Sequence, residues 1–259
     1  ASDAGLEVGS TGGIVVNEQM QTSDPDIYAA GDCVEITNLL TKTKVHAPYG
    51  DLANLQGRVV GQNITGKGSA VFPGTIQTGI CKVFQYSAGA TGLSESAART
   101  AGFDPVSVVF AAPDKPGFMK GKLLVMKMVA DSDSRRLLGL QCVGPGDVSK
   151  RIASAAMAIQ GGLTVDDLAV SDLPYAPPFS PAIDNVITCA HVLQNKMVGL
   201  MNGVSSKKVK DRSTQETPCF ILDVRSPGEY QQMRLGIGEV LIPLGALRHR
   251  LAELPEDKD

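Results

Sequence analysis

Residues 22–35 read TSDPDIYAAGDCVE, an apolar run that follows a cluster of turn formers and closes on two alanines, a glycine and an aspartate. The punctuation on both sides predicts a short buried strand of about four residues from Ile27, with Asp32 delivered at its carboxyl end. A carboxylate in that place, preceded by a glycine that permits close approach, suits a hydrogen bond to a polyol. An aspartate that closes a turn or caps a helix satisfies the same pattern, so these residues alone leave both readings open.

The 259 residues are 43% apolar and 20% charged, a balance that belongs to a folded chain of one large domain or two ordinary ones. The formal net charge of -3 offers no basic field, which argues against nucleic acid or an anionic membrane as partner. Cys33, Cys81, Cys142, Cys189 and Cys219 stand far apart without a CxxC, against a disulfide framework or zinc site and in favour of a reducing cytoplasm. Cys33, Cys142 and Cys189 read as small buried hydrophobes. His46, His191 and His249 are dispersed, so no metal is expected. The first residues lack the basic start and apolar core of a signal peptide, and the longest apolar-rich stretch, 182–201, is broken by Asp184, Asn185, His191 and Lys196.

Outward from the opening motif, residues 13–65 read as strand, turn, strand, then a helix over YGDLANLQGRVVGQNI with Leu52, Leu55, Val59 and Ile64 on its buried side. Gly57 and Gly61 on that helix predict close packing against another backbone. From about residue 74, TIQTGICKVFQYSAGATG, VSVVFAA, KLLVMKMVAD and RLLGLQCVG read as strands, the last two joined in a hairpin by DSDS. Two amphipathic helices follow, one with Ile152, Ala155, Ala156 and Ile159 on its stripe, the other with Ile183, Val186, Ile187, Ala190 and Met197. The expected class is α/β followed by α+β: a first segment over 1–70, an antiparallel sheet with helices over 71–203, an exposed aperiodic linker over 204–217, and a fresh α/β start over 218–259, too short to stand alone.

The motif TSDPDIYAAGDCVE, with HAPYGDLANLQGR after it, resembles the second flavin motif of the FAD-dependent pyridine nucleotide-disulfide oxidoreductases. The resemblance implies that residues 1–70 are the carboxyl-terminal part of a Rossmann-like FAD-binding domain. It implies that Asp32 hydrogen bonds the ribityl chain, that Gly31 lets the flavin pass, and that the backbone of Tyr49 and Gly50 lies nearest the isoalloxazine. No GxGxxG loop for FAD or for NADH or NADPH is found, nor a counterpart of the family's redox cysteine, so a longer flavoprotein is expected.

The stretches ATGLSESAARTAGF, LLGLQCVGPGDVSKRI and DLPYAPPFSPAIDNV are similar to the dimerisation domain of coenzyme A disulfide reductases and related NADH oxidases. YAPPFSP stands where the glutathione reductase branch carries a catalytic His-Pro-Thr. By resemblance Tyr175 reaches across a homodimer into the partner's flavin and substrate site, against the bland reading of a tyrosine stiffening a proline-rich turn. Asn54 matches a coenzyme A contact, while Phe118, Met119 and Ile183 depart from the pattern of relatives.

FILDVRSPGEY and VLIPLGALRHRLAEL resemble the opening of a rhodanese domain, in which Asp223 and Arg225 would pair structurally. The combined expectation is a homodimeric FAD enzyme that passes hydride from NADH or NADPH to a disulfide or persulfide, coenzyme A being the candidate carrier. The alternatives are an NADH oxidase or peroxidase, and a chain that serves only as a non-catalytic dimerisation module.

Overall fold

The computed structural model describes residues 1–66, 68–214 and 219–256. They fall into two units, 1–201 and 202–259. The first unit opens with β1 (Ile14–Val15), β2 (Val34–Thr37) and β3 (Lys44–His46), a sheet in which β2 runs parallel to β1 and antiparallel to β3. Helix α1 (Gly50–Asn63) covers it, and Val34, Ile36, Leu52, Val59 and Phe72 form the core between them.

The opening motif differs from its expectation. Residues 27–30 form no strand: Tyr28 makes a single antiparallel bridge with Gln21, and the ladder strand β2 begins only after the motif. The reason lies in the turn residues, because the Asp24 carboxylate and carbonyl accept from the amides of Asp26 and Ile27 and fold the chain back on itself. The amide of Ala29 then donates to Met20 O, and Ile27 stays exposed.

The buried stripe of α1 also differs. Leu52 and Val59 face the core, but Leu55 is 53% exposed and Ile64 is exposed too, while Gln56 and Asn63 are buried. Asn63 takes its place because its amide bridges Gln19 O, Ala70 O and Ala70 N, which closes the loop after the helix. Gly57 and Gly61 pack against nothing within the described residues, for a methyl added at either meets open space.

Next come β4 (Gly79–Val83), β5 (Tyr86–Gly92), α2 (Glu95–Thr100), β6 (Pro105–Pro113), β7 (Leu123–Asp131) and β8 (Leu137–Gly144). The five strands make one antiparallel sheet in the order β4-β5-β8-β7-β6, with the β7–β8 hairpin as expected. Ser94 caps α2, and Glu95 on that helix reaches Lys127 of β7 and Ser107 of β6. The hydrogen bond from Lys127, with that from Ser107, holds the Glu95 carboxyl down at about 2.

One face of this sheet carries the main core. Leu124, Met126, Met128, Leu140 and Cys142 pack beneath α3 (Val148–Gln160), α4 (Val165–Ala169) and α5 (Asn185–Met197). On α5, Val186, Ile187 and Ala190 are buried as expected, whereas Ile183 lies before the helix and is exposed, since Asp184 takes the N-cap. The opposite face leaves Val109, Ala111, Leu123, Val125 and Val143 exposed; Ala111, Val125 and Val143 are direct cross-strand neighbours.

A buried ion pair locks the helices to the sheet. Arg151 on α3 is 0% exposed, and its guanidinium meets the Asp184 carboxylate at 2.9 Å. It also donates to Asp147 O and, from the end of β6, to Asp114 O. Lys150 Nζ lies 3.1 Å from the same carboxylate.

The second unit contains α6 (Ser206–Ser213), β9 (Leu222–Asp223), α7 (Pro227–Gln232), β10 (Val240–Leu241) and α8 (Leu244–Leu247), with β10 parallel to β9. The stretch read as an aperiodic linker thus includes a two-turn helix, exposed as expected. Ser205 caps its start by accepting from Lys208 N, and Lys210 and Arg212 sit in its last turn, where cations suit the helix dipole. Residues 215–217 of that stretch lie outside the described residues. Strand β9 is half-buried rather than buried.

Replacing Arg151 by Met leaves the 97%-buried Asp184 with Lys150 as its remaining cation. Urea unfolding of Arg151→Met is expected to show a loss of about 3 kcal/mol, the low end for breaking a buried pair.

Candidate functional site

The site is built from the loop Gly31–Asp32–Cys33 and the start of α1. Gly31 has φ of +85°, the left-handed region that side chains avoid, and this turns the chain sharply into β2. A methyl on Gly31 would come within 3.5 Å of the Ala53 methyl, so the loop lies directly against the first turns of α1.

Four hydrogen bonds fix the loop backbone. Gly31 N donates to Gln56 Oε1 at 2.7 Å, Val34 N to Gly31 O at 3.3 Å, and Ile14 N to Cys33 O at 2.8 Å. The ring Nε2 of His46, on β3, donates to Asp32 O at 2.7 Å. By contrast, the Asp32 carboxylate is exposed and has no hydrogen bond or ion pair among the described residues. A held backbone thus presents an unspent acceptor, so Asp32 is neither the cap of a helix nor the staple of its own turn.

Helix α1 starts beside it. Tyr49 is the N-cap in an extended conformation, and no side chain caps the helix, which leaves the amides from Gly50 onward pointing out of its end. Gly50 is exposed and Tyr49 half-buried, its hydroxyl facing Gly79 of β4. The loop that carries Gly31 and Asp32 therefore lies against the helix that Tyr49 and Gly50 begin. Asn54, one turn further, is exposed, and its Nδ2 donates to Gly50 O at 2.6 Å. Its Oδ1 makes no hydrogen bond among the described residues.

Tyr175 lies elsewhere. It is 53% exposed on the loop before α5, at the rim of a cleft of about 370 Å³ that Asp184 and His191 also line. The imidazole Nε2 of His191 is spent on Ala169 O. Asp184 anchors this loop through Arg151, and Ser180 Oγ donates to Pro174 O beside Tyr175.

Among the cysteines, Cys142 and Cys189 are buried as expected, and burial pushes their thiols up to about 11 and about 12. Cys33 is exposed, contrary to expectation, because it sits on the loop and precedes the strand; its thiol donates to Ala30 O. No group of three or more metal-ligating side chains occurs among the described residues. Sequence reasoning missed Gln56 and His46 as loop supports. Gln56 carried a signal, an uncharged polar residue in register with Leu52 and Val59.

Residues 1–49 match the pyridine nucleotide-disulphide oxidoreductase family model, and residues 78–187 match its dimerisation domain. Over those two stretches the chain is similar to this family. It is 40% identical over 195 residues to an NAD(P)H sulfur oxidoreductase (CoA-dependent) of Pyrococcus furiosus, covering 75% of this chain and 44% of that protein. An NADH oxidase of Enterococcus faecalis is 35% identical, over 65% of this chain and 38% of that protein.

Among solved structures, an NAD-dependent persulfide reductase from A. fulgidus superposes with a TM-score of 0.92 at 46% identity, covering all of this chain and 46% of that one. Reduced Bacillus anthracis CoADR-RHD gives 0.90 at 36% identity, again over all of this chain and 46% of that one. The chain spans less than half the length of the relatives it matches.

The two glycines of the site separate backbone need from space. Gly31→Ala forces a side chain into the left-handed region and is expected to lower unfolding stability by about 1 kcal/mol. Gly50 has ordinary helical geometry and open space around it, so Gly50→Ala is expected to be neutral or to stabilise by up to about 0.5 kcal/mol in the same urea titration.

Proposed function

We propose that this chain supplies one wall of an FAD site and the dimer interface of an oxidoreductase that passes hydride from NADH or NADPH to a disulfide or persulfide, with coenzyme A as the sulfur carrier. The carrying observation is the Asp32 carboxylate, left without a protein partner on a fixed loop beside the uncapped start of α1. The residues fit a flavin. Asp32 would accept from ribityl hydroxyls, Gly31 would let the chain pass without a side chain in the way, and the amides at Tyr49 and Gly50 would face the pyrimidine edge. Bound FAD would supply the two-electron relay between nicotinamide and sulfur acceptor. The end of α1 favours negative charge at that edge by about 1 kcal/mol.

Asn54 keeps its side-chain oxygen available for a coenzyme A amide or hydroxyl. Tyr175, exposed on an anchored loop, would reach the partner's site across a homodimer. The exposed apolar sheet face around Val125 and Val143 supports the dimer, for side chains of that kind in neighbouring register seek cover. The names of the Pyrococcus and A. fulgidus relatives support sulfur as the acceptor.

Residues 218–259 are read as the start of a rhodanese-like domain. In support, Arg225 pairs with Asp223 at 2.6 Å and donates to Met233 O, bracing the end of β9. The amide of Gly236, with those of Ile237 and Leu235, holds the Glu239 carboxyl at about 2 and shapes the loop before β10. A sulfur-carrying domain tethered there would raise the local concentration of the donor. The second reading, an oxidase that passes the same electrons to oxygen or peroxide, draws on the Enterococcus relative.

In the intact flavoprotein, Asp32→Ala is expected to weaken FAD retention about tenfold or more, read from flavin absorbance per protein. NADH consumption should depend on coenzyme A persulfide; fast consumption with oxygen alone and none with persulfide selects the oxidase. Paired charges on the sheet face, Val125→Lys with Val143→Lys, should turn the dimer into a monomer in sedimentation velocity. An unchanged dimer would place the interface elsewhere.

A further inference from the structure

We infer that Gln56 and His46 are a two-point clamp that positions the Asp32 carboxylate for the cofactor, an inference that rests on the flavin reading above. The two residues come from different elements, α1 and β3, and grip the two ends of one short backbone stretch. Gln56 Oε1 takes the amide of Gly31 and His46 Nε2 gives its proton to the carbonyl of Asp32, each at 2.7 Å. Between these points lies Asp32 Cα, from which the carboxylate projects.

Burial separates this arrangement from ordinary loop stitching. Gln56 is 1% exposed, a costly place for a primary amide unless its oxygen is used, and its one side-chain bond among the described residues goes to the loop. Leucine or methionine would fill the same helical position at no polar cost and would match the apolar register of Leu52 and Val59. The amide is therefore placed for the bond it makes. Gly31 needs that bond because its left-handed φ gives the loop a choice of conformations that a side chain would have restricted.

His46 completes the constraint from the other side. Val34 N already holds Gly31 O and Ile14 N holds Cys33 O; the bond from His46 adds the carbonyl between them, that of Asp32 itself. The imidazole must hold its proton on Nε2 to donate to the carbonyl. Neither side chain has to touch the flavin. Both act through Asp32 by paying its ordering entropy before the cofactor arrives.

The test uses the intact flavoprotein stripped of FAD, with dissociation constants measured by titrating FAD back. Gln56→Met, nearly isosteric and without the acceptor, is expected to weaken FAD about tenfold, and His46→Ala several-fold. His46→Gln, which restores an amide donor, should recover part of the loss. The decisive readout is the double variant: in an Asp32→Ala background, Gln56→Met should weaken FAD little further, since the residue it positions is gone.

Full additivity of Gln56→Met and Asp32→Ala overturns the clamp, because it means Gln56 acts on the fold and not through Asp32. So does unchanged FAD affinity in both Gln56→Met and His46→Ala while Asp32→Ala still loses flavin, a result that leaves the flavin reading standing. Unchanged affinity in Asp32→Ala itself overturns both. Should Gln56→Met not fold, the exposed His46 decides alone through His46→Ala and its cycle with Asp32→Ala, by the same criteria.

Discussion

A guanidinium buried without access to water must be matched by charge and by hydrogen bonds, and the environment of Arg151 shows what that demands. The Asp184 carboxylate, the Asp147 carbonyl and the Asp114 carbonyl come from three separate places in the chain, and all must arrive for the charge to be tolerated. Asp184 is also the N-cap of α5, accepting from Val186 N, while Asp114 organises the end of β6 by accepting from Lys122 N and Asp147 N. One ion pair thus sets the start of two helices against one end of the sheet. Asn185 extends the same junction by donating to Pro113 O.

That junction also braces the loop before α5. The proline-rich loop that carries Tyr175 runs from the end of α4 to Asp184, so its far end is tied to the buried pair while its middle stays exposed. Rigid ends with an exposed aromatic between them hold Tyr175 in the open on a braced loop. The first sheet and α1 follow a parallel logic on a smaller scale, since Gln56 and Asn63 spend buried amides on the two loops that flank α1. In both places a polar group in an apolar register marks where the chain is held.

Legibility in the sequence followed the range of the interaction. The β7–β8 hairpin and the stripes of α3 and α5 were readable because turn residues and apolar periodicity act over a few positions. The strand expected at Ile27 was not formed, because Asp24 and Pro25 reverse the chain and give its amides another partner. Leu55 and Ile64 were placed inside by hydropathy, whereas the observed register puts Gln56 and Asn63 there. Their long-range bonds are invisible to a periodicity argument.

The sequence by itself determined the antiparallel sheet with its helices, because turn residues and apolar periodicity are written in residues that are neighbours along the chain. Tertiary structure alone decided that the Asp32 carboxylate is unspent, that Cys33 is exposed, and that Arg151 and Asp184 meet in the core. The physical reason is that hydrogen-bond satisfaction is a global property. Whether a polar group is free to serve a ligand depends on every other group within reach, and only the folded chain brings those groups together.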